Sequence, residues 1–486
     1  MKRKFVTNLA LLLFLNLLVK PIYAFGIDVG VQNAVGVAHY GNYFILLNFS
    51  IIFQIILDLG IESFSRREIA RHNQLLNKYF SYILPLKLLL GLIYFTVCSV
   101  LGYIMGWRGH EFWLLLILLF NQFLASFVLY FRANLGGMHM FRADSIVSVI
   151  DRFVVIVICG FLLIDPVTRK LFRIEWLVYA QTAAYLISAS LAFSLVFSKT
   201  EVVRFTFDMR YYRSFLARSL PYALLFLLMA TYLRIDSVFI GKMLENGKEQ
   251  AGIYAQGFRI IEILSNYGYL FTLILLPVFS KMLKQGESVQ NLTRLSFTLL
   301  IVPAFIVVSG CISYRYEIID ILYRQHVQDS ANVFAILTFS FLGICITYIF
   351  GTLLTANGSL TILNTMATLA VVINIILNLI LIRKFGIRGA AMANAITQVF
   401  TAVFQIITAK KVFKLKTNSG YILRLVVFII SITALSFLTR ELPIMWYYSL
   451  PLFVMIAFML SFALGLMKIK EFSEILFSEN EAGKAL

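Results

Sequence analysis

Between Ser219 and Gly241 the chain reads SLPYALLFLLMATYLRIDSVFIG. The run is long enough to cross a hydrocarbon core of about 30 Å as one helix, yet it carries Arg234 and Asp236. A charge at mid-membrane costs at least about 2.5–3.5 kcal/mol, so such residues face a polar cavity, pair together or meet a charged substrate. The pattern recurs. Lys20, Lys87, the Asp151/Arg152 dipeptide, and Arg259 with Glu262 also lie in apolar runs of spanning length. Lys20, Lys87, Arg152, Arg234 and Arg259 are basic, which points to a membrane protein that handles an anion.

Working outward, the 486 residues are 60% hydrophobic and 14% charged, with a mean hydropathy of +0.86. No soluble domain of this size hides so much apolar surface, so the composition predicts an all-α polytopic membrane protein. The net charge of +18 would suggest nucleic acid in a soluble chain. Here most Lys and Arg fall in short loops, where anionic headgroups and the positive-inside rule account for them, and no nucleic-acid partner is expected. Cys98, Cys159, Cys311 and Cys345 all lie in apolar runs without a CxxC pair and read as small hydrophobes. The five histidines have no metal-ligand spacing, so no metal is expected. The start, Lys2-Arg3-Lys4 and an apolar run to Val19, looks like a secretory signal. Ile22 is a poor residue three places before a cleavage point at Ala24, and Lys20-Pro21 interrupts the run. The segment therefore reads as a retained first span.

About fourteen spans are expected, near residues 8–27, 42–61, 80–105, 112–131, 145–164, 176–197, 219–241, 253–278, 295–314, 332–355, 362–382, 389–409, 421–439 and 449–467. With the N-terminus in the cytoplasm, the inner segments hold 24 Lys and Arg and the outer loops 12. That bias predicts cytoplasmic termini. Arg169/Lys170/Arg173 and Arg383/Lys384/Arg388 run against it. A weak repeat pairs Ala133-Asn134 with Ala356-Asn357, Asp151 with Asn374, Gly41 with Gly252 and Lys20 with Arg234. Six spans per half give two halves of one orientation. The predicted organisation is a six-helix lobe at 1–198, an amphipathic linker at 199–218, a second lobe at 219–410, and two further helices with a tail at 411–486. The linker carries Arg204, Arg210, Arg213 and Arg218 among Phe205, Phe207, Tyr211, Tyr212 and Phe215, as an interfacial helix on an anionic leaflet would. A second interfacial helix is expected over 316–328. Pro21, Pro85, Pro221, Pro277, Pro303 and Pro451 fall in or beside spans, as bends or as hinges.

Several stretches resemble a known family. They are Asn16-Leu17-Leu18-Val19-Lys20-Pro21-Ile22-Tyr23, Tyr40-Gly41-Asn42-Tyr43 leading to Phe53-Gln54-Ile55-Ile56-Leu57-Asp58-Leu59-Gly60, Arg234-Ile235-Asp236-Ser237-Val238-Phe239-Ile240-Gly241, and Gly386-Ile387-Arg388-Gly389-Ala390-Ala391-Met392-Ala393. In order and spacing they resemble polysaccharide biosynthesis flippases of the Wzx type, in the superfamily of MATE exporters and lipid II flippases. The resemblance implies two six-helix lobes around a central cavity plus two extra helices. It also implies transfer of undecaprenyl-diphosphate-linked oligosaccharide across a bacterial inner membrane for O-antigen, capsule or exopolysaccharide.

A lipid diphosphate crosses hydrocarbon only with help, and fixed cations in a wet cavity supply it. Arginine suits phosphate because its planar fork binds two oxygens. Lys20, Arg234 and Arg259 are expected in the outer halves of their spans, Lys87 and Arg152 in the inner halves. All five are candidate substrate contacts. The competing reading makes them structural ion pairs: Arg234 with Asp236, Arg259 with Glu262, Arg152 with Asp151. Adjacent helical residues do not face each other, so that last pair is the poorest. Asp236, Glu262 and Asp151 are candidate carriers of a coupling proton or sodium ion, or else counter-ions to the arginines. Asp58 reads as a helix-end carboxylate. No Walker A motif and no nucleophile–base constellation occurs, so neither an enzyme nor a cofactor is expected. Two alternatives remain at this point. A MATE-like exporter favours an acidic cavity. A membrane-embedded glycosyltransferase or polymerase needs catalytic acids and a large external loop. Other polysaccharide-assembly proteins are possible partners.

Overall fold

The computed structural model describes residues 15–16, 18–62, 65–66, 69, 76–200, 205–416 and 418–467. All regular structure among them is helical. A π-helical segment, Ile22–Asp28, runs into α1 (Val29–Val35), followed by α2 (Val37–Ile52) and a 3-10 turn, Gln54–Leu57. Then come α3 (Leu76–Ile104), α4 (Gly109–Gly137), α5 (Phe141–Ile164), α6 (Pro166–Lys170), α7 (Ile174–Phe197) and α8 (Met209–Met243). The chain continues with α9 (Gly247–Gln285), α10 (Gln290–Ser313), α11 (Arg315–Leu322), α12 (Val327–Ala356), α13 (Leu360–Phe385) and α14 (Ile387–Phe413). It closes with α15 (Ser419–Arg440) and α16 (Trp446–Ala463). Twelve described helices are long and apolar enough to cross a membrane, and they coincide with the third to fourteenth expected spans. The protein is a polytopic, multi-pass membrane protein.

The beginning departs from the expectation. Residues 8–14 of the first expected span lie outside the described residues, as do Lys2, Arg3, Lys4, Arg204 and the tail from 468. The helix does not stop at 27 but continues to Val35, where Gly36 (φ +83°) breaks it. α2 then starts at Val37, not 42, and ends at Ile52, not 61. Hydropathy reads 28–41 as a loop because of Asp28, Gln32, Asn33 and three glycines. Inside the fold these polar groups have partners: Tyr40 Oη donates to Asp28 Oδ2 (2.8 Å), Gln32 Nε2 to Gly252 O (2.9 Å) and Asn33 Nδ2 to Leu322 O (2.8 Å). A satisfied polar side chain loses most of its penalty in an apolar medium.

The chain divides into two compact units. One comprises Met1–Ala255, Leu322–Gln325 and Asn378–Ile387, the other Gln256–Ile321, His326–Leu377 and Arg388–Leu486. The expected lobes at 1–198 and 219–410 do not coincide with them. Nor does a separate linker helix form among the described residues of 199–218. Phe205–Asp208 is without helix, and α8 starts at Met209 and runs unbroken across Pro221 into its span. Thr206 N donates to Ser81 O and Tyr212 Oη to Tyr82 O, which ties this stretch to the start of α3. The expected helix at 316–328 is α11, ending at Leu322.

In the first unit α4, α5 and α7 pack together and α2 packs on α8 and α4. Phe80, Ile83, Leu86, Phe131, Val147 and Ala192 build the apolar centre beneath them. A close backbone approach joins α2 to the start of α9. A Cβ on Gly41 would lie 1.8 Å from Lys248 O, and one on Gly252 2.0 Å from Val37 O. These glycines are partners in the sequence repeat, and both leave room for the crossing backbone. In the second unit α10 packs against α12 and against the hairpin of α15 and α16. Ser313 donates to Ser436 (2.7 Å) and Tyr314 to Thr439 (3.1 Å), over a core of Val302, Ile306, Phe428, Ile432 and Phe453.

Gly41→Ala and Gly252→Ala each force two backbones apart and are expected to destabilise by at least about 1–3 kcal/mol. Gly160→Ala, whose Cβ would meet only Ile27 Cδ1 at 3.7 Å, is expected to be neutral or slightly stabilising in its helix. Thermal unfolding of the three purified variants in detergent tests this. Equal melting temperatures would contradict the close approach.

Candidate functional site

The first unit has a small open cleft of about 50 Å³ lined by Tyr23, Asp151, Arg152, Val155, Gln181, Ala184 and Tyr185. Three elements build it. Tyr23 comes from the π segment, whose extra residue per turn shifts the side chains after Pro21 around the helix. Asp151 and Arg152 come from the middle of α5, and Gln181 and Tyr185 from one face of α7 at i,i+4. Gln181 Nε2 donates to Tyr43 Oη (2.9 Å) and to Tyr23 Oη (3.3 Å), binding α7 to α2 and the π segment.

Arg152 Nη1 reaches both Asp151 oxygens, at 3.2 and 3.4 Å. The adjacent-residue pair therefore forms after all, because the long guanidinium arm curls back, but at distances well beyond a good charge-assisted bond of about 2.7–2.9 Å. By contrast, Arg132 holds Asp144 at 2.8 Å. Lys20 is partly buried and feels the charges of Arg152, Arg132 and Asp151. The helix that carries it runs eight residues beyond the expected end at 27, to Val35.

The other candidates are dispersed. Arg234 Nη1 donates to Asn48 Oδ1 (2.8 Å). Asp236, two residues on, is buried and accepts from Asn378 Nδ2 (2.7 Å) and Tyr254 Oη (3.2 Å). In the second unit Arg259 Nη1 meets Glu262 Oε2 at 2.7 Å, the i,i+3 pair anticipated from spacing. Lys87 is 1% exposed. Its ammonium donates to Leu57 O (2.9 Å) and lies 5.6 and 5.7 Å from the Phe127 and Tyr130 ring centres. A cation on the last carbonyls of a short helix, backed by aromatic faces, stabilises the chain reversal after α2. Asp58 caps the same reversal, accepting from Gly60 N (3.1 Å) and Glu62 N (3.0 Å).

Sequence reasoning missed Tyr23, Asp28, Asn48, Gln181, Tyr185 and Asn378. The five uncharged ones carry no signal of their own, since an uncharged polar residue inside a span is common. Only Asp28 was legible, as a carboxylate one residue beyond the assumed span. Among the described residues no three His, Cys, Asp or Glu side chains form a metal-binding group.

No curated protein matches the chain. Among solved structures, "Lipid II flippase MurJ, inward closed conformation" aligns with a TM-score of 0.72 at 13% identity, covering 97% of this chain and 99% of that one. An inward-facing multidrug resistance MATE family transporter of the MOP superfamily aligns at 0.60 and 14% identity, covering 80% and 94%. A MOP superfamily transporter from Pyrococcus furiosus Vc1 (DSM3638), described as having a binding pocket of reversed polarity, aligns at 0.59 and 16% identity, covering 84% and 95%. At such identities the likeness concerns the fold, which is that of the MOP superfamily. The family model described as "Polysaccharide biosynthesis protein" matches residues 5–283, more than half of the sequence. The chain belongs to the polysaccharide biosynthesis protein family.

Proposed function

We propose that the protein is a flippase that moves undecaprenyl-diphosphate-linked oligosaccharide across the bacterial inner membrane by alternating access. The carrying observation is Arg152, with Asp151, on the wall of a polar cleft inside apolar helices, within electrostatic reach of Lys20. A diphosphate bears about two negative charges, and burying it without counter-charge is prohibitive. The long Arg152–Asp151 pair is readily exchanged for a phosphate, which accepts two parallel bonds from a guanidinium. Arg234, whose guanidinium donates to the Asn48 amide oxygen, is a second diphosphate contact, and Arg259 a third. Lys87 stabilises the fold, since its ammonium is enclosed and already engaged. Of the three candidate coupling carboxylates, Asp151 and Glu262 serve as counter-ions. Asp236, buried among the neutral donors Tyr254 and Asn378, carries the coupling proton or sodium ion.

Arg152→Ala and Arg234→Ala are expected to abolish surface polysaccharide while the protein still inserts in the membrane. Arg152→Lys should be poor, because an ammonium cannot bind two oxygens as a fork. Immunoblots of polysaccharide beside protein level measure both. Normal polysaccharide in either alanine variant sinks that residue's role.

Arg259 and Glu262 allow a double-mutant test. Removing either partner should destabilise by up to about 3–5 kcal/mol, less for their partial exposure. Arg259→Gln with Glu262→Gln should regain stability yet lack transport. Full transport by the double variant would leave the pair purely structural.

Both termini are expected in the cytoplasm. Reporter fusions after Lys78 and after Lys410 should read cytoplasmic, and a periplasmic signal at either contradicts the orientation.

A further inference from the structure

Two helices of the second unit, α12 and α14, cross at glycines. A Cβ on Gly343 would lie 2.7 Å from Gln398 O, and one on Gly351 3.0 Å from Gln405 Oε1. The two crossings advance together along both helices, so α12 and α14 run in the same direction. The side of α12 that carries these glycines reads Ser340, Gly343, Thr347, Gly351. The matching side of α14 reads Gln398, Thr401, Gln405, Ala409. Both sets are spaced three, four and four, which keeps each on one face of its helix.

Ser340, Gln398 and Gln405 are buried, and so is the Thr347 hydroxyl. Four polar atoms here have no hydrogen-bond partner among the described residues: Ser340 Oγ, Thr347 Oγ1, Gln398 Nε2 and Gln405 Oε1. Inside a span, far from bulk water, each such atom is costly. The four are complementary. The Gln398 amide nitrogen donates and the Ser340 hydroxyl accepts; the Thr347 hydroxyl donates and the Gln405 amide oxygen accepts. Ser340 and Gln398 are 58 positions apart in sequence, and so are Thr347 and Gln405. The present crossings join residues 55 and 54 positions apart. One displacement of three to four residues, about 4.5–6 Å at the helical rise, therefore brings both pairs together. It also sets Thr401 against Gly343 and Ala409 against Gly351, where small residues leave room.

The neighbouring bonds permit such a displacement. Across the face, Arg388 Nη2 meets Asp329 Oδ1 at 3.4 Å, on exposed side chains long enough to follow. α14 is tied to α13, by Asn374 Nδ2 to Thr397 Oγ1 (3.3 Å) and Gln405 Nε2 to Met366 Sδ (3.3 Å), so these two helices travel as a pair. Packed helices settle in discrete registers about one turn apart. Resting on the alternating-access reading, we propose that α14 slides along α12 between the present register and one in which Gln398 bonds Ser340 and Gln405 bonds Thr347, and that this slide is a step of transport.

Disulfide trapping in native membranes tests this, because oxidation captures even a briefly visited register. The background is the full chain with Cys98, Cys159, Cys311 and Cys345 changed to Ala. Ser340→Cys with Gln398→Cys, and Thr347→Cys with Gln405→Cys, report the slid register. Thr347→Cys with Ala402→Cys, at the same 55-residue offset as Gly343 and Gln398, reports the present one. All three pairs should join, as read by mass spectrometry of the linked peptides. Oxidising either slid pair should stop export of surface polysaccharide, and reductant should restore it. Gln398→Met and Gln405→Met, similar in size but apolar, each remove an unpaired atom from the present register and a bond from the slid one. Both should raise the melting temperature in detergent by about 1–3 °C and lower export about tenfold. Water bound at these atoms gives the opposite sign, a lower melting temperature. If neither slid pair joins, or both methionine variants melt lower, the slide is overturned. If export continues with both slid pairs oxidised, its role in transport is overturned. Normal surface polysaccharide in cells lacking the protein removes the flippase reading and with it the transport step, while the cross-links still report the two registers without substrate.

Discussion

A polar atom inside a bilayer has no water to turn to, and every feature of this protein answers to that constraint. It makes the spans helical, because a helix closes its own backbone bonds. It also decides where side chains go. Lys87 lies on a carbonyl and two rings, Arg234 on an amide, Asp236 on an amide and a phenol. Each arrangement supplies locally what water supplies elsewhere. The difference between a structural and a functional charge then becomes a matter of how well its partners hold it. Lys87 is closed in on all sides, whereas Arg152 holds its neighbour at 3.2 Å or more and borders open space.

Hydropathy alone placed twelve of the spans, because a run of some twenty apolar residues admits few other fates. It failed between Asp28 and Tyr40, where helix occupies polar sequence on both sides of the break at Gly36. The partners that permit this lie far along the chain, with Gly252 220 residues from Gln32 and Leu322 289 residues from Asn33. No local window contains them. The same limit applied to the cleft. Arg152 was visible as a charge in a span, but Tyr23, Gln181 and Tyr185 became part of a site only when three helices brought them together.

Spacing was a better guide to pairing when it respected reach as well as phase. Arg259 and Glu262 share a face and pair at 2.7 Å, as the i,i+3 rule requires. Asp151 and Arg152 do not share a face, yet pair loosely because the guanidinium arm is long. The looseness is what the rule foresees.

The long separations also set a timetable for biogenesis. At about 5–20 residues per second, the 289 residues between Asn33 and Leu322 take roughly 15–60 s to translate. The 142 between Asp236 and Asn378 take roughly 7–28 s at the same rate. Through that interval the first helices sit in the membrane before their late-made partners exist. The nascent chain therefore depends on the insertion machinery, or on wet helix interfaces, to shelter Asn33 and Asp236 until the distant segments emerge. A ribosome stalled before Asn378 leaves a protein inserted but unfinished in its earliest helices, a natural target for membrane quality control.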